Sequence, residues 1–112
     1  MISVHVATLN SCSYCRTRHA EQLDGRGQGA VAAALTAQDL DRAPVTPAER
    51  LLLEFVETLT RHVYRVTDAA VDRLREAGWS DEQIGEAAVH AAYMNMTVRL
   101  TDAIGFRQAW LR

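Results

Sequence analysis

Two cysteines and a histidine fall within eight residues of one another in "NSCSYCRTRH", residues 10–19: Cys12, Cys15 and His19. Their types and spacing admit a redox pair, half of a zinc site, or two buried thiols beside an ordinary histidine. On a single helix Cys15 and His19, four apart, are neighbours on one face. Cys12 and His19 then lie two turns apart, roughly 10 Å along the axis at a rise of 1.5 Å per residue. His19 can therefore act directly on Cys15 only. Cys12 and Cys15, three apart in a first turn, are close enough for a disulfide with modest adjustment, and the unpaired N–H groups and helix dipole there favour a thiolate. Thiol redox chemistry needs an attacking thiolate, a resolving thiol and a base or hydrogen-bond donor. All three are present, with His19 either accepting the Cys15 proton or stabilising its thiolate as imidazolium.

A structural zinc site needs four ligands. After Cys12, Cys15 and His19 the nearest candidate is His5, with His62 and His90 distant and no second cysteine pair. Ligand counting thus weakens zinc, and neither metal nor organic cofactor is expected. The bland reading, two buried thiols without chemistry, stays open.

These residues must be positioned by one modest domain, because 112 residues leave too little core to divide. Nearly half the chain is apolar and 23% is charged, the balance of a folded globular protein. The formal charge of −2 arises from twelve arginines, no lysine and fourteen acids, with the arginines scattered among the acids. No nucleic-acid footprint is formed. Apolar runs are short and no basic, apolar and small-residue leader opens the chain, so neither a membrane span nor export is expected. A reducing cytosol is the expected compartment, where a close cysteine pair is more often catalytic or metal-binding than a structural staple.

With eighteen alanines and little alternation, the sequence predicts an all-α fold of about six helices. In Ile2 to Leu9 the alternation of Ile2, Val4 and Val6 admits a strand, but the helical stripe through Val6 and Leu9 favours the last turns of a helix. A second helix is expected from Ser11, as its cap, to Leu23, ended by "DGRGQG". "AVAAAL" predicts a third, and "DRAPVTP" breaks the chain. "TPAE" from Thr46 opens a helix to about Tyr64, with Leu52, Phe55, Val56, Leu59 and Val63 forming its apolar stripe. Thr67 caps a short helix ending at Gly78. The capping box Ser80 to Gln83 opens a long helix to about Ala103, before Gly105. Its "AAVHAAYMNM" middle is small or apolar nearly all round, which predicts burial on several sides at the centre of the domain, at a subunit interface, or both.

With these elements in place the chain resembles the carboxymuconolactone decarboxylase and alkylhydroperoxidase AhpD-like superfamily, in its cysteine-bearing, peroxidase-related branch. The resemblance rests on "LNSCSYCRTRH" and extends through "TPAERLLLEFVETLT", "VTDAAVDRLREAGWSDEQI" and "AAYMNMTVRLTDAIG", nearly the whole chain. It implies an all-α protein that assembles into trimers or larger homo-oligomers and reduces hydroperoxides, recycled by an external dithiol or disulfide reductant. By that likeness Cys15 attacks the peroxide, Cys12 resolves the sulfenic acid, and His19 belongs to a proton relay to Cys15. The dipole argument alone favours Cys12 as the thiolate; the histidine favours Cys15.

The family pattern also has a relay glutamate twelve residues before the first cysteine, a count that falls one residue before Met1. The expectation is an internal methionine at Met1, with the glutamate and one or more helices upstream. His5 does not match the motif position. Two rival functions remain: a redox-inert helical oligomerisation or binding domain, and decarboxylase chemistry on a lactone acid, whose family members lack the cysteine pair.

Other residues read more plainly. Tyr14 packs in the core, His62 sits near a helix end, and His90 is a satisfied interior or interface histidine. Asn95 and Arg99 form a buried hydrogen-bonded pair. Met94 and Met96 fill core or interface, and Arg16 and Arg18 add positive potential near the thiols.

Overall fold

Helix starts form where a side-chain oxygen can take one of the free first-turn N–H groups. Thr46 Oγ1 accepts from the Glu49 N–H at 3.1 Å with Pro47 at the first helical position. Thr67 Oγ1 accepts from Ala70 N–H, and Ser80 and Gln83 close a complete capping box. Each opens a helix in the computed structural model, which describes residues 1–105. Among these residues there are six helices, α1 Ile2–Leu9, α2 Ser13–Asp24, α3 Gly29–Thr36, α4 Pro47–His62, α5 Asp68–Glu76 and α6 Asp81–Ala103, with single 3₁₀ turns at Leu40–Arg42 and Val63–Arg65. The expected all-α architecture is present.

The centre of the fold is α1, which packs against α2, α3, α4 and α6. Its isoleucine, valines and threonine are poor helix formers. Burial stabilises it instead: Val4, Val6, Ala7 and Thr8 are almost fully enclosed, each buried valine contributing about 1.5–3 kcal/mol. One side of α1 joins α2, α4 and α6 through Val6, Ala7, Val56 and Met94. Another meets α2, α3 and α4 through Val4, Leu23, Leu35 and Leu53. A third cluster, Leu52, Leu74, Ile84 and Ala87, ties α5 to α4 and α6.

The long helix α6 is not the centre of the single chain. Within this chain it buries one face, through Ile84, Ala87, Ala91, Met94 and Val98. Val89, Tyr93, Met96, Leu100 and Ile104, just past its end, are exposed. Within the chain α6 packs closely on α1 and α4, and the central place belongs to α1. Met94 is core as expected, while Met96 is exposed.

Candidate active site

The joint between α1 and α2 sets the cysteines. At the end of α1 the Ser11 N–H donates to the Thr8 carbonyl and the Cys12 N–H to the Ala7 carbonyl, both at 3.0 Å. This is a Schellman closure, which requires a left-handed residue after the helix, and Ser11 occupies that place with φ of 57°. Ser11 is therefore not the cap of α2, as the sequence suggested. Cys12 takes the N-cap position in extended backbone. Its side chain packs with Ala7 in the same core cluster, the apolar contact that usually accompanies such a closure. Cys12 thus ends one helix and starts the next.

A polar network fixes this joint to α6. Asn10 Nδ2 donates to the Val6 carbonyl at 2.9 Å and to Asn95 Oδ1 at 3.0 Å. Asn95 Nδ2 donates to Thr60 Oγ1 and to the Ala91 carbonyl, and Arg99 donates to Asn95 Oδ1 at 2.9 Å. The Asn95–Arg99 pair is present as expected, with Asn95 partly buried and Arg99 exposed. Its role is larger than a local pair, because Asn10 and Thr60 bring α1 and α4 into it.

Both thiols are free. Cys12 is 0% exposed and Cys15 4%, and they share a core cluster with Ala91, Met94 and Val98 of α6, flanked by Tyr14. Burial pushes the Cys12 thiol up to about 12. The Cys15 thiol, within hydrogen-bonding reach, adds to the rise, and so does the Asp102 carboxylate. The Cys15 backbone N–H pulls the other way and is outweighed. The dipole-based expectation of a Cys12 thiolate therefore fails: the helix start is present, but the sulfur lies in a dry core.

His19 stays on the same helix as Cys15, four residues on, but it is only partly buried. Its Nδ1 pairs with Gln22 Oε1 at 3.0 Å. The ring lines an open, mainly apolar groove of about 650 Å³ formed with Ser3, Glu86, His90, Tyr93 and Met94. Ser3 Oγ and His90 Nε2 share a 2.7 Å hydrogen bond, so His90 is satisfied, though exposed rather than interior. Burial lowers its pKa first, with the N-terminal ammonium and His19 adding to the shift. Neither cysteine lines this groove; among the described residues Met94 alone belongs to both the groove and the cysteine cluster.

His5 lies elsewhere. It is buried on another face of α1 in a small cavity of about 100 Å³ with Gln38, Glu57 and Arg61, its Nε2 4.0 Å from Glu57 Oε2. Burial lowers its pKa, an effect that Glu57 and the Leu53 carbonyl oppose. Among the described residues no three His, Cys, Asp or Glu side chains converge as a metal site would require. None of the helices among them is long and apolar enough to cross a membrane. His62 closes α4, its ring edge-on to Tyr64 at 6.0 Å. The sequence reading missed Ser3, Gln22 and Asp102. The spacing Ala91, Met94, Val98, Asp102 marks one face of α6, but only the fold shows that Cys12 lies against it.

Together the fold and site define an all-α protein with a free dithiol at the joint between its central helix and the next. The chain matches no protein-family model and no curated protein. Among solved structures, an uncharacterized peroxidase-related protein from Silicibacter sp. TM1040 superposes with a TM-score of 0.86 at 27% identity, over 91% of this chain and 53% of that one. The alkylhydroperoxidase AhpD core of an uncharacterized peroxidase-related protein from Ralstonia eutropha JMP134 gives 0.84 at 25% identity, over 91% and 54%. The chain has the AhpD-like fold and spans just over half the length of these two neighbours.

Proposed function

We propose that this chain reduces hydroperoxides through its dithiol, with Cys15 attacking and Cys12 resolving. The observation that carries the reading is the asymmetry of the pair: two free thiols within hydrogen-bonding reach, of which Cys12 is held protonated. A thiol that high is a poor first nucleophile, and His19 shares a helix face with Cys15. The Cys15 thiolate attacks the distal peroxide oxygen, the O–O bond breaks, and the alkoxide leaves as alcohol with a proton from His19. Cys12 sulfur then bonds to Cys15 sulfur and displaces hydroxide, which departs as water. An external dithiol returns the disulfide to two thiols and is itself oxidised. Both structural neighbours carry peroxidase-related names, which favours the same class.

The test is peroxide consumption with a dithiol reductant. Cys15→Ser abolishes it, while Cys12→Ser leaves a sulfenic acid on Cys15 that a dimedone-type reagent traps. Activity surviving both substitutions refutes the mechanism.

One observation favours a redox-inert helical binding domain instead: both thiols are buried and neither lines the groove. In that case the pair stays reduced in mild peroxide and reacts slowly with alkylating agents until the protein unfolds. As a hydroperoxide reductase, the assembly forms a homo-oligomer through the exposed apolar face of α6.

A further inference from the structure

The two thiols share one core cluster, but their titratable neighbours differ. Cys15 has His19 one turn away on its own helix. Cys12 is fully buried in the core cluster that holds Ala7, Ala91, Met94 and Val98, and among the described residues the side chains of Cys15 and Asp102 lie within hydrogen-bonding reach of its sulfur. The geometry of α6 explains the second contact. Ala91, Met94 and Val98 form the face of α6 in the cysteine cluster, and Asp102 follows Val98 by four residues, one turn along the same face. The Asn10–Asn95 bond holds the α1–α2 joint to this face. His5, the titratable side chain of α1, lies in the separate cavity beside Glu57.

We infer that Asp102 is the base that accepts the Cys12 proton when the Cys12–Cys15 disulfide closes. The inference rests on the dithiol reading above, with hydroperoxide as the oxidant. In the resting protein the carboxylate helps keep hydrogen on Cys12 sulfur. Once Cys15 is a sulfenic acid, that hydrogen passes to an Asp102 oxygen as the S–S bond forms and the Cys15 S–O bond breaks. The leaving hydroxide takes the proton, giving water and restoring the carboxylate. Asp102 is thus a catalytic residue of the resolving step, and His19 of the attacking step.

The experiment compares disulfide closure in wild type, Asp102→Asn and Asp102→Glu, driven separately by hydrogen peroxide and by diamide, a thiol oxidant. Asp102→Asn should slow closure with both oxidants by about a hundredfold at neutral pH, the scale of a lost general base, and Asp102→Glu should restore most of it. Equal rates for wild type and Asp102→Asn overturn the inference. So does a wild-type pair that neither oxidant closes. Closure by diamide but not by peroxide refutes the peroxidase reading and leaves Asp102 to be judged on the diamide rates. If Asp102→Asn loses its helical circular dichroism, the Raman S–H band of Cys12 in Cys15→Ala protein decides. A band lowered as for a thiol donating to a carboxylate supports the inference, and a band at the free-thiol position overturns it.

Discussion

A buried histidine whose desolvation outweighs its carboxylate neighbour should reveal itself in acid. His5 titrates below its ordinary value of 6.5 because burial disfavours the imidazolium. As pH falls through 6.5 the unfolded chain takes up a proton first, so stability is full above that value and declines until the folded state also protonates. His90, also lowered, acts in the same direction. Thermal melts between about pH 7 and 5 should therefore show a loss of melting temperature that is shallower in His5→Gln. Identical slopes would show that His5 does not titrate as its burial requires. From the sequence His5 is only the nearest fourth candidate for a zinc site, and its position does not match the relay motif. Its real neighbours, Glu57 and Arg61, come from a helix fifty residues away and could not be read from spacing.

At the level of elements, the starts of α4, α5 and α6 were legible because capping is local: Thr46, Thr67 and Ser80 each bond a backbone N–H three residues on. The joint between α1 and α2 was not legible, since serine is both a good cap and an uncommon left-handed residue, and the sequence favoured the first role. With Ser11 at φ 57°, the side chain is conformationally costly. Replacing it with glycine removes about 1 kcal/mol of that cost, partly offset by the freedom glycine gains in the unfolded chain. Ser11→Gly should therefore melt at or above the wild-type temperature, and Ser11→Val should lose about 1–2 kcal/mol by denaturant titration. A valine variant as stable as wild type would mean that the left-handed turn is not maintained.

Across the whole molecule, the feature least accounted for within one chain is the outer face of α6. Val89, Tyr93, Met96, Leu100 and Ile104 follow spacings of four, three, four and four, one stripe of a helix, and each is more than half exposed. Contiguous apolar patches of this kind mark interaction surfaces. Under the proposed assembly, light scattering should give a multiple of the 12.4 kDa chain mass, and Tyr93→Glu with Leu100→Glu should reduce it to one chain without loss of helicity. A mass unchanged by the double substitution places the interface elsewhere. The small and apolar residues of "AAVHAAYMNM" mark α6 as a helix with more than one face to bury, but periodicity alone does not specify which part of its circumference its own chain covers.

The shared residue at the α1–α2 joint also fixes how much length the motif tolerates. Because Cys12 completes one helix's closure and begins the next helix, no slack separates them. One residue added or removed between Asn10 and Cys12 would turn α2 by about 100° about its axis. Cys15 would leave the core and His19 would leave the groove, even with every side chain retained. Insertions should be accommodated in the longer connection between α3 and α4, where the chain is already irregular, and not at the joint that carries the thiols.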